Sequence, residues 1–257
     1  MNNYYGGQQW AAGSRPSEVL PLGVVNSFVQ RVYVVMAAGL AITGLVAWLA
    51  FGLFFTGSST GIQIADDLWM TPAGAAAFSG ITKWIIMLAP FAFVMVLSFG
   101  INRLSYFAAT LLFVAFAAVM GLSLSSIFAL YTSGSIAMTF FVTAGTFAAM
   151  SVYGMTTKAD LTKLGSYLMM GLFGIIIASF ANFFFESSMF DLIISILGVI
   201  IFTGLTAYDT QNIMRQSLTM DADSEAAKKA SLMGALSLYL DFLNLFLFLL
   251  RLMGDRR

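Results

Sequence analysis

Residues 104–157 contain no charged side chain, and the stretches 32–65, 84–102, 164–185 and 192–208 are equally bare. About 20 mostly apolar residues in one helix cross the hydrocarbon core of a bilayer, and each stretch is of that order or longer. Of the 257 residues 60% are hydrophobic and 9% charged, whereas soluble domains carry about 25% charged residues. The chain is therefore read as an all-α, multi-pass membrane protein. A membrane β-barrel would need strands alternating polar and apolar residues, and no segment does so.

Several function classes fall away at once. Net charge is zero with no basic run, which argues against a nucleic-acid partner. The absence of cysteine removes disulfides, thiol catalysis and thiolate metal sites. Without histidine the usual imidazole ligands and the usual near-neutral proton switch are missing too, so any pH sensing falls to carboxylates. A serine–histidine site is excluded on the same ground. No phosphate-loop or dinucleotide glycine pattern occurs, and Leu238-Tyr239-Leu240 before Asp241 lacks the glycine of an intramembrane aspartyl protease motif. The reading is a protein without catalytic residues or cofactor. Residues 1–30 have no basic region leading into a short apolar core, so a cleaved signal peptide is not expected. They are assigned as a cytoplasmic arm, and residues 31–257 as the membrane domain.

Seven spans are placed at about Val32–Phe55, Trp84–Asn102, Phe107–Leu130, Ser135–Met155, Leu164–Phe185, Leu192–Tyr208 and Ser231–Leu250. YTSGS (131–135) divides the longest bare stretch, and residues 221–231 read as a soluble linker with helical character. With the N-terminus inside, Arg15, Arg31, Arg103, Lys158, Lys163, Arg215, Lys228 and Lys229 collect on the cytoplasmic side, against Lys83 alone in the opposite loops. That asymmetry follows the positive-inside rule. Arg251, Arg256 and Arg257 run against it if the seventh segment crosses fully rather than re-entering; a full crossing is preferred.

Ten of the twelve acidic residues fall in tails, loops or span ends. Asp209, at the inner end of the sixth span, and Asp241, near the middle of the seventh, remain. An aspartate at a helix centre costs roughly 2.5–3.5 kcal/mol on insertion scales. Thr203, Thr206 and Asp209 recur every three residues, and Ser237, Asp241, Asn244 and Arg251 share one face of the last helix. Two such stripes on consecutive helices can face each other. Carboxyls in contact would share a proton and titrate as a pair. Arg103, at the cytoplasmic end of the second span, can bridge a carboxylate in bidentate fashion. In this scheme ionised aspartates hold Arg103 and close the inner mouth, and protonation frees the latch. Thr206, Ser237 and Asn244 would support the pair. Two acidic oxygens suit a hard cation, but one such as calcium takes 6–8 oxygen ligands, so Asp209 and Asp241 would hold it only in transit.

GLTAYDTQNI (204–213) resembles the signature of the Bax-inhibitor family, the transmembrane Bax inhibitor motif proteins. GLSLSSIF (121–128), SVYGMTTKADLTKLG (151–165) and MGLFGIIIAS (170–179) are similar to its bacterial inner-membrane branch. The resemblance runs from about residue 30 to the C-terminus. It implies seven transmembrane helices, the last central between two three-helix layers. It further implies a pH-sensitive calcium leak channel whose sensor pair maps to Asp209 and Asp241 and whose latch maps, by position, to Arg103. Bacterial relatives are also linked to the membrane-bound AAA protease, so a non-conducting regulator or substrate of that protease is the alternative.

Overall fold

The computed structural model describes residues 27–58, 61–65 and 68–257; most of the expected N-terminal arm, together with Asp66 and Asp67, lies outside the described residues. Helix α1 (Ser27–Phe54) leads into three short strands, β1 (Phe55–Thr56), β2 (Ile62–Ala65) and β3 (Leu68–Met70), and a short helix α2 (Pro72–Ala77). Then follow α3 (Gly80–Gly100), α4 (Tyr106–Leu124), the short α5 (Ile127–Leu130), α6 (Ser133–Thr156), α7 (Thr162–Phe185), α8 (Ser188–Thr219) and α9 (Glu225–Met253). Among the described residues seven helices, with α4 and α5 counted together, are long and apolar enough to cross a membrane.

Hydroxyl side chains start most of these helices. Ser105 accepts from the Ala108 N–H at 3.2 Å, Thr132 from Ser135 at 3.3 Å, and Ser224 from Ala227 at 3.1 Å, each satisfying one of the donors that a helix N-terminus leaves unpaired. The connection between the first two spans, expected to be a loop, instead pairs into an antiparallel sheet of order β1-β3-β2, with Trp69 opposite both Thr56 and Gln63.

Two boundaries differ most from the expected ones. The sixth span was expected to stop at Tyr208, and the linker to occupy residues 221–231; α8 continues to Thr219 and α9 begins at Glu225. Hydropathy falls at Tyr208, but no glycine or proline occurs between Leu205 and Met233, so nothing breaks the helix where its apolar stretch ends. The seventh segment is one unbroken helix of 29 residues, long and apolar enough to cross rather than re-enter. Beyond it the chain pairs at Arg256 with Tyr131, at the end of the bundle opposite Ser27.

Helix α9 is the most buried of the seven and packs against α1, α4, α6 and α8; α7 leans on α8, and α3 chiefly on α4. Tyr239 of α9 is fully buried. The rings of Phe113 and Phe116 approach it edge-on, at 5.8 and 5.4 Å between centroids. Its hydroxyl lies 2.7 Å from Thr43 Oγ1, which donates to the Ala117 carbonyl at 2.9 Å; Tyr239 is therefore the donor of the first bond. This relay ties α9 to α1 and α4. Gly39 makes room for it, because a Cβ there would come within 2.9 Å of the Phe113 ring. Large apolar side chains such as Phe91, Phe107 and Phe180 remain exposed on the outer faces, as lipid-facing helices require.

Candidate functional site

Successive residues of an α-helix point about 100° apart, so the segment Ala207–Gln211 of α8 reaches all of its neighbours in little more than one turn. The Ala207 carbonyl lies against Gly154 of α6, where any Cβ would collide with it. The ring of Tyr208 lies over Gly165 of α7. Thr210 Oγ1 is 3.3 Å from the Tyr33 hydroxyl of α1. Gln211 grips the turn between α6 and α7 from both sides, accepting from the Leu161 N–H at 3.0 Å and donating to the Ala159 carbonyl at 2.8 Å. One turn further on, Arg215 donates to Asp160 at 2.7 Å and to Thr162 Oγ1 at 2.9 Å.

Asp209 points in the remaining direction, towards α9. Its carboxyl lies beside that of Asp241, close enough for the two groups to interact directly. Asp241 is 4% exposed, and its Oδ2 has no hydrogen-bond partner among the described residues. Two carboxyls in contact, without a neighbouring cation, repel when both are ionised and bond when they hold one proton between them. Asp209 is only partly buried and lies ten residues before the end of α8, well inside its helix rather than at the helix end.

The supporting residues divide. Thr206 is buried and its hydroxyl donates to the Phe202 carbonyl at 2.8 Å, while Asn244 donates to the Leu240 carbonyl at 2.8 Å. Both satisfy their own helices rather than the pair. Ser237 is half-buried without a hydrogen-bond partner among the described residues. Arg103 stands apart. It occupies the exposed turn between α3 and α4 and makes no ion pair among the described residues, so the expected bridge to Asp209 is not formed in this arrangement. Its helix packs chiefly on α4, and water hydrates the guanidinium at no desolvation cost. Arg251, expected on the Asp241 face, pairs instead with Asp191 at 3.5 Å. Among the described residues no third acidic side chain joins the pair.

A row on α6 escaped sequence reasoning. Ser135, Thr139, Thr143, Phe147 and Ser151 recur every four residues and are all buried, facing α8 and α9, the helices on which α6 packs. Thr139 Oγ1 and Ser151 Oγ have no hydrogen-bond partner among the described residues. Phe147 interrupts the row and meets Phe242, the residue after Asp241, edge-on at 5.5 Å. The four-residue spacing was the available signal, and it was hidden because threonine and serine are common in membrane helices for packing alone.

A bundle of seven apolar helices holding two neighbouring aspartates, one of them buried, defines a multi-pass membrane protein with an acidic pair between its helices. The model of the family described as inhibitor of apoptosis-promoting Bax1 matches residues 25–257, and the chain belongs to this Bax-inhibitor family. The inner membrane protein YbhL of Escherichia coli is 42% identical over 242 residues, covering 94% of this chain and 97% of its own. An uncharacterized protein of Borreliella burgdorferi is 46% identical over 235 residues, or 91% of this chain and 94% of that one. The protein YrjE of Lactococcus lactis is 36% identical over 231 residues, 90% and 91% of the two chains.

Proposed function

We propose that the protein is a pH-sensitive leak for cations, calcium foremost, gated by Asp209 and Asp241. The observation that carries this reading is the meeting of the two carboxyls in the bundle interior, with no lysine or arginine paired to either among the described residues. An intramembrane ionisable residue is expensive and ordinarily functional. A pair that exchanges one shared proton for mutual repulsion changes the force between α8 and α9. Arg103 is the latch in this scheme: it engages the pair when both carboxyls are ionised and stands in water when they hold a proton. A calcium ion takes 6–8 oxygens, so two carboxyls offer a transit point rather than a resting place. The membrane is the bacterial inner membrane, as the name of the YbhL relative supports, and the asymmetry of lysine and arginine puts the N-terminus in the cytoplasm.

Calcium flux into liposomes carrying the purified protein tests the reading. The leak is expected to rise as pH falls. Asp209→Asn and Asp241→Asn are each expected to make it insensitive to pH, and Arg103→Gln to raise it at neutral pH. Wild-type flux with an intact pH response in both asparagine variants would overturn the mechanism.

A further inference from the structure

At the end of the bundle opposite Ser27, α5, α7, α8 and α9 surround a cavity of about 500 Å3, within the ~300–1,000 Å3 typical of ligand sites. Its floor is apolar, with Ile194 and Leu250 buried beneath it. Its rim is made of donors: Arg251, Arg256, Asn182 and Ser179. The lining holds one carboxylate, Asp191, which Arg251 already engages at 3.5 Å.

The remaining donors are uncommitted. Arg256 lies 5.9 Å from the centre of the Tyr131 ring and has no carboxylate partner among the described residues. The neighbouring acid, Asp255, accepts from Ser135 Oγ instead. Backbone bonds from Thr132 N–H to the Asp255 carbonyl at 3.1 Å and from Arg257 N–H to the Leu130 carbonyl at 3.0 Å fix the strand that presents Arg256. The Asn182 oxygen is occupied by the Ser187 N–H at 3.1 Å. Its amide hydrogens, like the Ser179 hydroxyl, have no protein acceptor among the described residues. Two guanidiniums line the cavity against one carboxylate among the described residues.

We propose that this cavity binds the phosphate headgroup of an anionic phospholipid. The forked donors of Arg251 and Arg256 match phosphate oxygens, and Asn182 and Ser179 complete the donor set. The apolar floor and the exposed ring of Phe183 at the edge receive the start of the acyl chains, which a free phosphate ion would leave unused. A choline headgroup is disfavoured, because its quaternary ammonium would sit against the guanidiniums.

Native mass spectrometry of the full chain, released from micelles doped equally with phosphatidylglycerol and phosphatidylcholine, tests the site. Retention of phosphatidylglycerol is expected to exceed that of phosphatidylcholine several-fold, and Arg251→Gln with Arg256→Gln to abolish the preference. Ser179→Phe keeps both guanidiniums and fills the space, so it is expected to remove the preference even if the arginine variant fails to fold. Inorganic phosphate that displaced the lipid would support the phosphate site but assign it to the free anion. Equal retention of both lipids by the wild type, or an unchanged preference in the variants, would overturn the proposal.

Discussion

Arg215 and Asp160 meet at 2.7 Å, one helical turn beyond the point where Gln211 holds the same turn by its backbone, so α8 clasps the α6–α7 connection twice. The Thr162 hydroxyl, then the Arg215 guanidinium, hold the Asp160 carboxyl well below the usual carboxylate range. A carboxyl whose pKa is lowered by folding contributes stability above its unfolded pKa and loses it as pH falls through the folded value. Hydrogen exchange in residues 157–161 is therefore expected to keep its protection down through mildly acidic pH and to lose it only in strong acid. Asp160→Asn is expected to speed that exchange at neutral pH while barely moving the unfolding temperature, because both partners are exposed.

Gln211→Leu acts on the same turn from the buried side. It strands the Leu161 N–H and the Ala159 carbonyl, at an expected cost of about 1–3 kcal/mol for each group that stays dry. Thermal unfolding in detergent, compared with Asp160→Asn, checks that the side-chain amide matters more than the ion pair.

Gly154 and Gly174 make a matched comparison. A Cβ at Gly154 would strike the Ala207 carbonyl and come within 3.0 Å of Thr210, whereas at Gly174 nothing lies within 4 Å. Gly154→Ala is expected to destabilise by about 1–3 kcal/mol through overpacking. Gly174→Ala is expected to be neutral or to gain up to about 1 kcal/mol from helix propensity. Unfolding of the two variants in the same detergent distinguishes them.

The Tyr239–Thr43 bond predicts an asymmetric pair of variants. Tyr239→Phe removes a donor but leaves Thr43 bonded to Ala117, at a cost of about 0.5–1.5 kcal/mol. Thr43→Val leaves the buried Tyr239 hydroxyl without a partner and is expected to cost more. The double variant should cost less than the sum, which a double-mutant cycle reads directly.

Thr139 is the converse case, a buried hydroxyl without a protein partner. Thr139→Val is expected to raise stability by up to about 1 kcal/mol, since a buried hydroxyl without a hydrogen bond costs about 1–3 kcal/mol on mutational scales. If the proposed leak operates, lowered calcium flux in the same variant would put that hydroxyl on the ion's route.

Local properties were legible in the chain. Spans follow from the transfer free energy of about 20 side chains in a row; six of the seven appear where charge is missing, and the seventh carries Asp241 within an otherwise apolar run. Asp209 and Asp241 stood out because a carboxylate in an apolar run is costly wherever its helix goes. Helix ends were less legible: α8 outran its apolar stretch because only breakers or caps stop a helix, and neither occurs before the residues around Ser224. The small sheet after α1 and the hydroxyl row of α6 were missed because short strands and packing threonines carry little local signal.

Which neighbour each side chain meets is another matter. Asp209 faces Asp241 rather than Arg103, Arg251 turns to Asp191, and Gln211 holds a turn 50 residues upstream. None of these partners follows from spacing within one helix. They depend on how helices rotate and approach, and that is settled by contacts such as Gly154 on Ala207 and Tyr239 against Phe113. The sequence by itself determined that the chain crosses a bilayer seven times with two carboxylates inside; only tertiary packing decided that those two touch, because proximity between helices is a property of the assembled bundle and of no segment alone.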